Sequence, residues 1–115
     1  GSGGSGTGAG AGGSLDQPVE TLLVEIRAAY RKGASDTVVE TARAVLTYES
    51  ATPRQRAEAM LYAGCIQYTL GDTTRAYGYF REAVRQDPDA LPPDDIRTSG
   101  MLQEFMRARR DECGQ

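Results

Sequence analysis

The sequence predicts an all-α protein of about five helices, arranged as stacked antiparallel hairpins. Apolar residues recur at helical spacing in five segments. Residues that favour helix ends flank these segments. The connections are short, and no segment alternates as a strand would. We expect one domain over residues 15–112, since a chain of that length suits a single hydrophobic core.

The first 14 residues are predicted to form a flexible linker outside this domain. The stretch GSGGSGTGAGAGGS is mainly Gly and Ser, and it lacks the apolar side chains that a core requires. It is either an expression linker or a natural tether, and a flexible chain of this length spans roughly 20 Å. At the other end, residues 113–115 are predicted to fray.

The first helix is predicted over residues 17–32. Asp16 is a suitable N-cap, and Pro18 fits the first turn, where its missing N–H costs nothing. Gly33 follows two cations, which is a typical C-terminal signal. The apolar positions of this helix are Val19, Leu22, Leu23, Ile26, Ala29 and Tyr30.

The second helix is predicted over residues 36–48, with Ser35 as its N-cap. The residues of its inward face are Val38, Ala42, Val45 and Leu46.

The third helix is predicted over residues 53–70. Thr52 can cap it, and Gln55 can complete a capping box. Gly64 lies inside this helix, where glycine costs about 1 kcal/mol relative to alanine. We therefore expect the next helix to approach closely at this position. The apolar positions are Ala57, Met60, Leu61, Gly64, Cys65 and Tyr68.

The fourth helix is predicted over residues 73–86, with Asp72 as its N-cap. Pro88 ends it, because the residue before a proline is pushed out of the helical region. Its packing positions are Ala76, Tyr79, Phe80, Ala83 and Val84.

The segment 89–98 is predicted to be extended or turn-like, with Leu91 and Ile96 as its large apolar anchors. A fifth helix is predicted over residues 99–110, and the residues after Asp111 are expected to fray. The apolar positions of this helix are Met101, Leu102, Phe105 and Met106.

The stretch AEAMLYAGCIQYTLGDTTRAYGYFREAVRQDP, residues 57–88, resembles one tetratricopeptide repeat (TPR), a 34-residue helical hairpin. The marker positions that it matches carry Gly64, Ala76, Phe80, Ala83 and Pro88. The positions where it departs carry Met60, Ala63 and Gln67, where the family prefers Trp, Leu and Tyr.

A weaker copy of the repeat fits residues 19–52 when Gly33 is aligned with Gly71. The last helix would then be either the first half of a third repeat or a capping helix. We favour the cap, since repeat arrays need about three repeats or a terminal element to close their core.

The resemblance implies a noncatalytic adaptor or scaffold that receives a peptide or partner helix in a concave groove, lined by the first helix of each hairpin. The residues that it assigns to this groove are Leu23, Arg27, Tyr30, Arg31, Glu58, Leu61, Cys65, Tyr68 and Thr69. Tyr30, Leu61 and Cys65 can also be ordinary core residues. Arg27, Arg31 and Tyr68 are better candidates, and for the two arginines the reason is that core burial would not select this residue.

Composition argues against several other functions. The net charge is −3, with 13 cations scattered among 16 acidic residues, so nucleic acid is not an expected partner. No run of 18 or more apolar residues occurs, so we expect no direct membrane insertion. Asp94 and Asp95 are interpreted as a solvated turn or a helix cap rather than a metal-ligand pair.

We expect no enzymatic activity, metal or cofactor. Histidine is absent, and Cys65 would need a base to act as a nucleophile. Cys65 and Cys113 form no CxxC motif, so a zinc site has no support.

The alternative interpretation is a structural or self-association domain of a larger bacterial envelope or motility assembly. An exposed face carrying Met101, Leu102 and Phe105 would suit that role. Lys32 is the single lysine among the 13 cations, a composition typical of GC-rich bacterial genomes. The compartment, cytoplasmic or periplasmic, stays open.

Overall fold

A computed structural model describes residues 17–114, which form five α-helices and, within that range, no strand. The helices are α1 (Gln17–Lys32), α2 (Ser35–Leu46), α3 (Pro53–Thr69), α4 (Thr73–Gln86) and α5 (Ser99–Cys113). The prediction of an all-α fold of about five helices is confirmed. The predicted linker over residues 1–14 and the predicted N-cap Asp16 lie outside the described residues.

Each helix packs against the next along the chain, and α1 also contacts α3. The short connections from α1 to α2 and from α3 to α4 reverse the chain direction, so the helices form a stack of antiparallel hairpins. α3 is the central helix, because it contacts α1, α2 and α4. Its burial extends beyond the predicted apolar positions and also includes Ala59, Tyr62, Ala63, Ile66 and Gln67.

Local signals in the sequence set several helix ends. The predicted capping box of α3 is confirmed: Gln55 N donates to Thr52 Oγ1 at 3.1 Å, and Thr52 N donates to Gln55 Oε1 at 2.9 Å. Asp72 caps α4 by accepting a backbone N–H bond at 3.1 Å. Gly33 and Gly71 take φ values of 76° and 92° after α1 and α3, a conformation that glycine adopts without strain.

The predicted N-cap of α2 is wrong. Ser35 is already the first helical residue, and the cap position belongs to Ala34, whose side chain makes no capping bond. The Ala34 carbonyl accepts from Val38 N at 3.0 Å, so the first helical hydrogen bond closes one residue earlier than expected. α2 ends at Leu46, two residues before its predicted end.

α5 continues three residues beyond its predicted end and reaches Cys113. Contacts with α4 hold this last turn: the Glu112 carboxylate accepts from Arg81 Nε at 3.0 Å and from Arg85 Nε at 3.1 Å. Gly114, with φ 76°, then ends the helix. The expectation that residues after Asp111 fray is therefore wrong for Glu112 and Cys113, which are helical.

The close approach predicted at Gly64 is confirmed. A Cβ placed on Gly64 would lie 2.6 Å from Phe80 Cε1 and 3.3 Å from the Ala76 carbonyl oxygen. Phe80 is fully buried and meets Phe105 of α5 edge to face, with 5.7 Å between ring centroids. One phenylalanine ring therefore connects α3, α4 and α5.

Candidate interaction site

A groove of about 690 Å³ lies between α1, α3 and the segment that follows α4, and we call it the α1–α3 groove. Three of the predicted site residues, Arg27, Glu58 and Leu61, line it. The further lining residues are Arg54, Tyr62, Asp87, Asp89, Ala90, Leu91 and Pro93. The fold thus brings together residues from three separate parts of the chain.

Arg27 and Glu58 form an ion pair that links α1 to α3 in this groove. Arg27 Nη2 donates to Glu58 Oε2 at 2.5 Å, and this hydrogen bond raises the pKa of Arg27. The side chains remain 38% and 32% exposed, so water screens the pair and its contribution to stability is below about 1 kcal/mol. Both charges stay accessible to a ligand.

Two tyrosines stand next to the ion pair. Tyr30 and Tyr62 meet edge to face, with centroids 5.8 Å apart and an interplanar angle of 72°. The Tyr30 hydroxyl oxygen lies 3.5 Å from Thr69 Oγ1, which places two further predicted residues side by side. Partial burial raises the pKa of both tyrosines, so the rings are neutral at pH 7 and offer apolar area with a polar tip.

Leu23 and Cys65 do not reach the groove surface. They are 2% and 0% exposed and belong to the hydrophobic core, so in this arrangement they offer no surface to a partner. The core alternative therefore fits both residues. Leu61, at 3% exposed, is part of the core and also of the groove floor.

Burial also determines the chemistry of the Cys65 thiol. Desolvation raises its pKa to about 12, because an apolar environment disfavours the thiolate. The thiol is therefore protonated at pH 7, which is the opposite of what a nucleophilic cysteine requires.

Tyr68 and Arg31 lie away from the α1–α3 groove lining. The Tyr68 hydroxyl sits over Gly100 at the start of α5, where a side chain would collide with it. Tyr68 lines a separate depression together with Leu102 and Met106. Arg31 is exposed in the last turn of α1. The nine predicted residues thus do not form one continuous surface.

Segment 87–98 contributes to the groove, which was not predicted from the sequence. Leu91, predicted as an apolar anchor, is 51% exposed, while its neighbour Pro92 is buried. Ile96 does pack against the core. The feature that could have indicated this contribution is the proline content of the segment. Prolines restrict the backbone to a few extended conformations. Sequence alone does not show over which helices that path runs.

The groove carries more negative than positive charge. Asp87 and Asp89 enter no ion pair among the described residues, and the Asp87 carboxylate instead accepts the backbone N–H of Asp89 at 3.0 Å. Asp95 is also close, since its charge adds to burial in raising the pKa of Tyr62. Arg54 is the lining cation outside the Arg27–Glu58 pair. Electrostatics therefore favour a cationic ligand.

The outer face of α5 differs from its prediction. Met101 and Phe105 are 2% and 0% exposed, so they belong to the core. The prediction that they form an exposed apolar face is wrong, because this side of α5 packs on α4. Leu102, half-buried, and Met106, 42% exposed, remain as the accessible apolar residues of this helix.

Residues 17–114 were also compared with the requirements of a metal site and of a membrane-spanning helix. No group of three or more His, Cys, Asp or Glu side chains could hold a metal ion there. No helix in that range has the length and apolar character needed to cross a membrane. Comparison of the chain with protein-family models, curated proteins and solved structures gave no match in any of the three.

Proposed function

We propose that this protein is a noncatalytic interaction module of TPR type, which binds a peptide segment or partner helix in the α1–α3 groove. The observation that carries this proposal is the composition of the groove. It combines an apolar floor at Leu61 and Tyr62, both buried, and the exposed side chain of Leu91 with charged groups at its rim. Binding of this kind requires no metal, cofactor or nucleic acid.

The assignment to TPR type draws support from the contacts of the predicted marker residues. Ala76 and Ala83, two small residues of α4, are fully buried. The Phe80 ring fills the space that a side chain at Gly64 would occupy. Two hairpins followed by a single helix, α5, is also the arrangement expected for two repeats and a cap.

The charges of the groove define the partner that fits it best. A partner segment with an apolar side chain would cover Leu61 and Tyr62, because interface affinity concentrates in well-packed aromatic and aliphatic contacts. A lysine or arginine on the same segment would approach Asp87 and Asp89. We therefore expect an apolar segment with basic residues next to it.

This function can be tested by selecting peptides from a random displayed library against the full chain and mapping the bound peptide by NMR. The proposal expects selected peptides rich in Arg or Lys with apolar neighbours, and shift changes at Arg27, Glu58, Tyr62 and Leu91. Selected peptides that shift only residues outside the groove would contradict the proposal, as would a selection that yields no binder.

A pair of charge reversals sharpens this test. Asp89→Lys places a cation in the groove lining and should weaken the selected peptide by about tenfold, the effect of a 1.4 kcal/mol change. Glu25→Lys makes the same change in charge at an exposed position of α1 that is not part of the lining, and should leave affinity nearly unchanged. Equal effects of the two variants would point to a nonspecific charge effect.

A structural role is the second candidate, and the exposure of Met106 favours it. Met106 and the half-buried Leu102 are the accessible apolar residues of α5. Through them the domain could self-associate within a bacterial envelope or motility assembly. Sedimentation that depends on concentration, and that Met106→Glu makes independent of it, would support this role.

A further inference from the structure

A second groove, of about 620 Å³, lies between α2 and α4, and we call it the α2–α4 groove. It has no lining residue in common with the α1–α3 groove. Met60 of α3 is part of its lining and is 2% exposed. Leu46 and Tyr79, both half-buried, line it from α2 and α4. The groove thus offers an apolar surface between two helices.

Gly78 gives this groove an unusual feature. It lies in the middle of α4 and lines the groove, and a Cβ placed on it would meet nothing within 4 Å. Glycine is the least favourable residue in a helix interior after proline. At Gly64 the ring of Phe80 accounts for the missing side chain, but no contact among the described residues does so at Gly78.

Exposed cations lie along the same groove. Arg43 of α2 is exposed and enters no ion pair within residues 17–114. Arg75 of α4 is 68% exposed, and its ion-pair partner Asp72 lies 3.4 Å away, an exposed contact of little strength. The carboxylate of Glu82 in the lining is held by Arg85 at 2.6 Å. The groove therefore presents a positive rim to a ligand.

We propose that the α2–α4 groove binds an acidic amphipathic helix of a partner protein. An apolar stripe on that helix would cover Met60, Leu46 and Tyr79, in the way that helices fill grooves of this kind. At Gly78 the missing side chain lets the partner's backbone approach closely. Acidic residues beside the stripe pair with Arg43 and Arg75, which complements the charge of the rim.

The test uses two synthetic helical peptides of about 16 residues, roughly 24 Å long, titrated into the full chain. Both carry Leu and Ala along one face at helical spacing. The first has Glu beside this stripe, and the matched control has Lys at the same positions. The proposal expects the Glu peptide to bind at least about tenfold more tightly than the Lys peptide, with NMR shift changes at Leu46, Gly78 and Tyr79.

Two substitutions at one position separate binding from folding. Gly78→Leu fills the site of close approach and should weaken the Glu peptide by about tenfold or more. Gly78→Ala adds one methyl group and should have a much smaller effect on binding. Neither variant should lower the melting temperature, because the Cβ meets nothing and both residues are better helix formers than glycine. Arg43→Glu should weaken the same peptide.

Three outcomes would overturn the proposal. The first is that neither peptide binds, or that both bind equally well. The second is binding whose shift changes lie in the α1–α3 groove. The third is binding of the Glu peptide that Gly78→Leu leaves unchanged while the variant remains folded. The first and third outcomes do not involve the α1–α3 groove. The second would show that the Glu peptide binds in the α1–α3 groove, and it would count against the present proposal without counting against the function proposed for that groove.

Discussion

At the scale of single residues, two glycines in helices are expected to respond in opposite ways to alanine. Gly64→Ala would place a methyl group 2.6 Å from the Phe80 ring, and such overpacking typically costs about 1–3 kcal/mol. The gain in helix propensity, about 1 kcal/mol, offsets only part of this. We expect a net loss of stability, measured as the free energy of unfolding in urea.

Gly78→Ala is the matched control, because its added methyl group meets no atom within 4 Å. Because nothing offsets the higher helix propensity of alanine, the free energy of unfolding should increase by about 1 kcal/mol. If Gly64→Ala stabilised the protein as much as Gly78→Ala does, Phe80 could not lie as close to Gly64 as the structure places it.

The two cysteines are expected to react at very different rates. Cys65 is buried, with a pKa raised to about 12, whereas Cys113 is exposed at the end of α5. Iodoacetamide at pH 8 should therefore modify Cys113 rapidly and Cys65 only as the protein unfolds, since the thiolate is the reacting form. Mass spectrometry of labelled peptides over time measures both rates. Cys113→Ser should leave the slow rate of Cys65 unchanged, and rapid labelling of Cys65 in that variant would contradict its burial.

At the scale of the helix, the attachment of α5 depends on contacts with α4. Phe105 packs edge to face on Phe80, and Glu112 accepts hydrogen bonds from Arg81 and Arg85. The Tyr77 hydroxyl donates to the carboxylate of Asp111. These contacts join residues that are 25 or more positions apart, and they extend the last helix to Cys113.

The contribution of Glu112 should depend on pH. Burial acts to raise its pKa, but hydrogen bonds from Arg81 and Arg85 outweigh this effect, so the pKa is lower in the folded protein. The stabilisation is then complete above the ordinary glutamate pKa of about 4.3 and is lost as the pH falls through the lower folded value.

The Glu112→Gln variant tests this dependence. It should be less stable than the parent at pH 7, and the difference in free energy of unfolding should shrink as the pH falls below about 4. Urea denaturation at pH 7 and pH 3 measures both differences. Glu104→Gln on the same helix is the control, since its single ion pair with Arg107 is long, at 3.7 Å. If Glu112→Gln lowered the free energy of unfolding equally at pH 7 and pH 3, the charged Glu112 carboxylate would not be what helps to hold α5 on α4.

The helices could largely be predicted from the sequence, because their ends depend on nearby residues. Thr52 and Gln55 form the expected capping box, and Gly71 ends α3 in the expected conformation. The exceptions have identifiable causes. Ser35 is an ordinary capping residue, but the turn after Gly33 places Ala34 at the cap position. The last turn of α5 depends on arginines of another helix.

At the scale of the whole molecule, the candidate site was harder to predict than the fold. Aligning the two hairpins assigned Arg27 and Glu58, 31 positions apart, to one groove, but it did not predict that they form an ion pair. The same alignment placed Leu23 and Cys65 in the groove, although both are buried. It assigned nothing to segment 87–98, because a proline-rich connection has no periodicity that fixes its direction.

The central position of α3 predicts how the molecule opens. Ten residues of α3 are buried, whereas α5 has three, and α5 is joined to the stack chiefly through α4. In a stack of helical hairpins, contacts between neighbouring helices supply much of the stability, so a terminal helix can open while the rest stays folded. We expect backbone amides of α5 to exchange with solvent faster than those of α3 under native conditions, as measured by NMR hydrogen exchange. Phe105→Leu, which trims a contact to Phe80, should accelerate exchange in α5 far more than in α3. If α3 and α5 exchanged at one rate in both proteins, the five helices would unfold as a single unit.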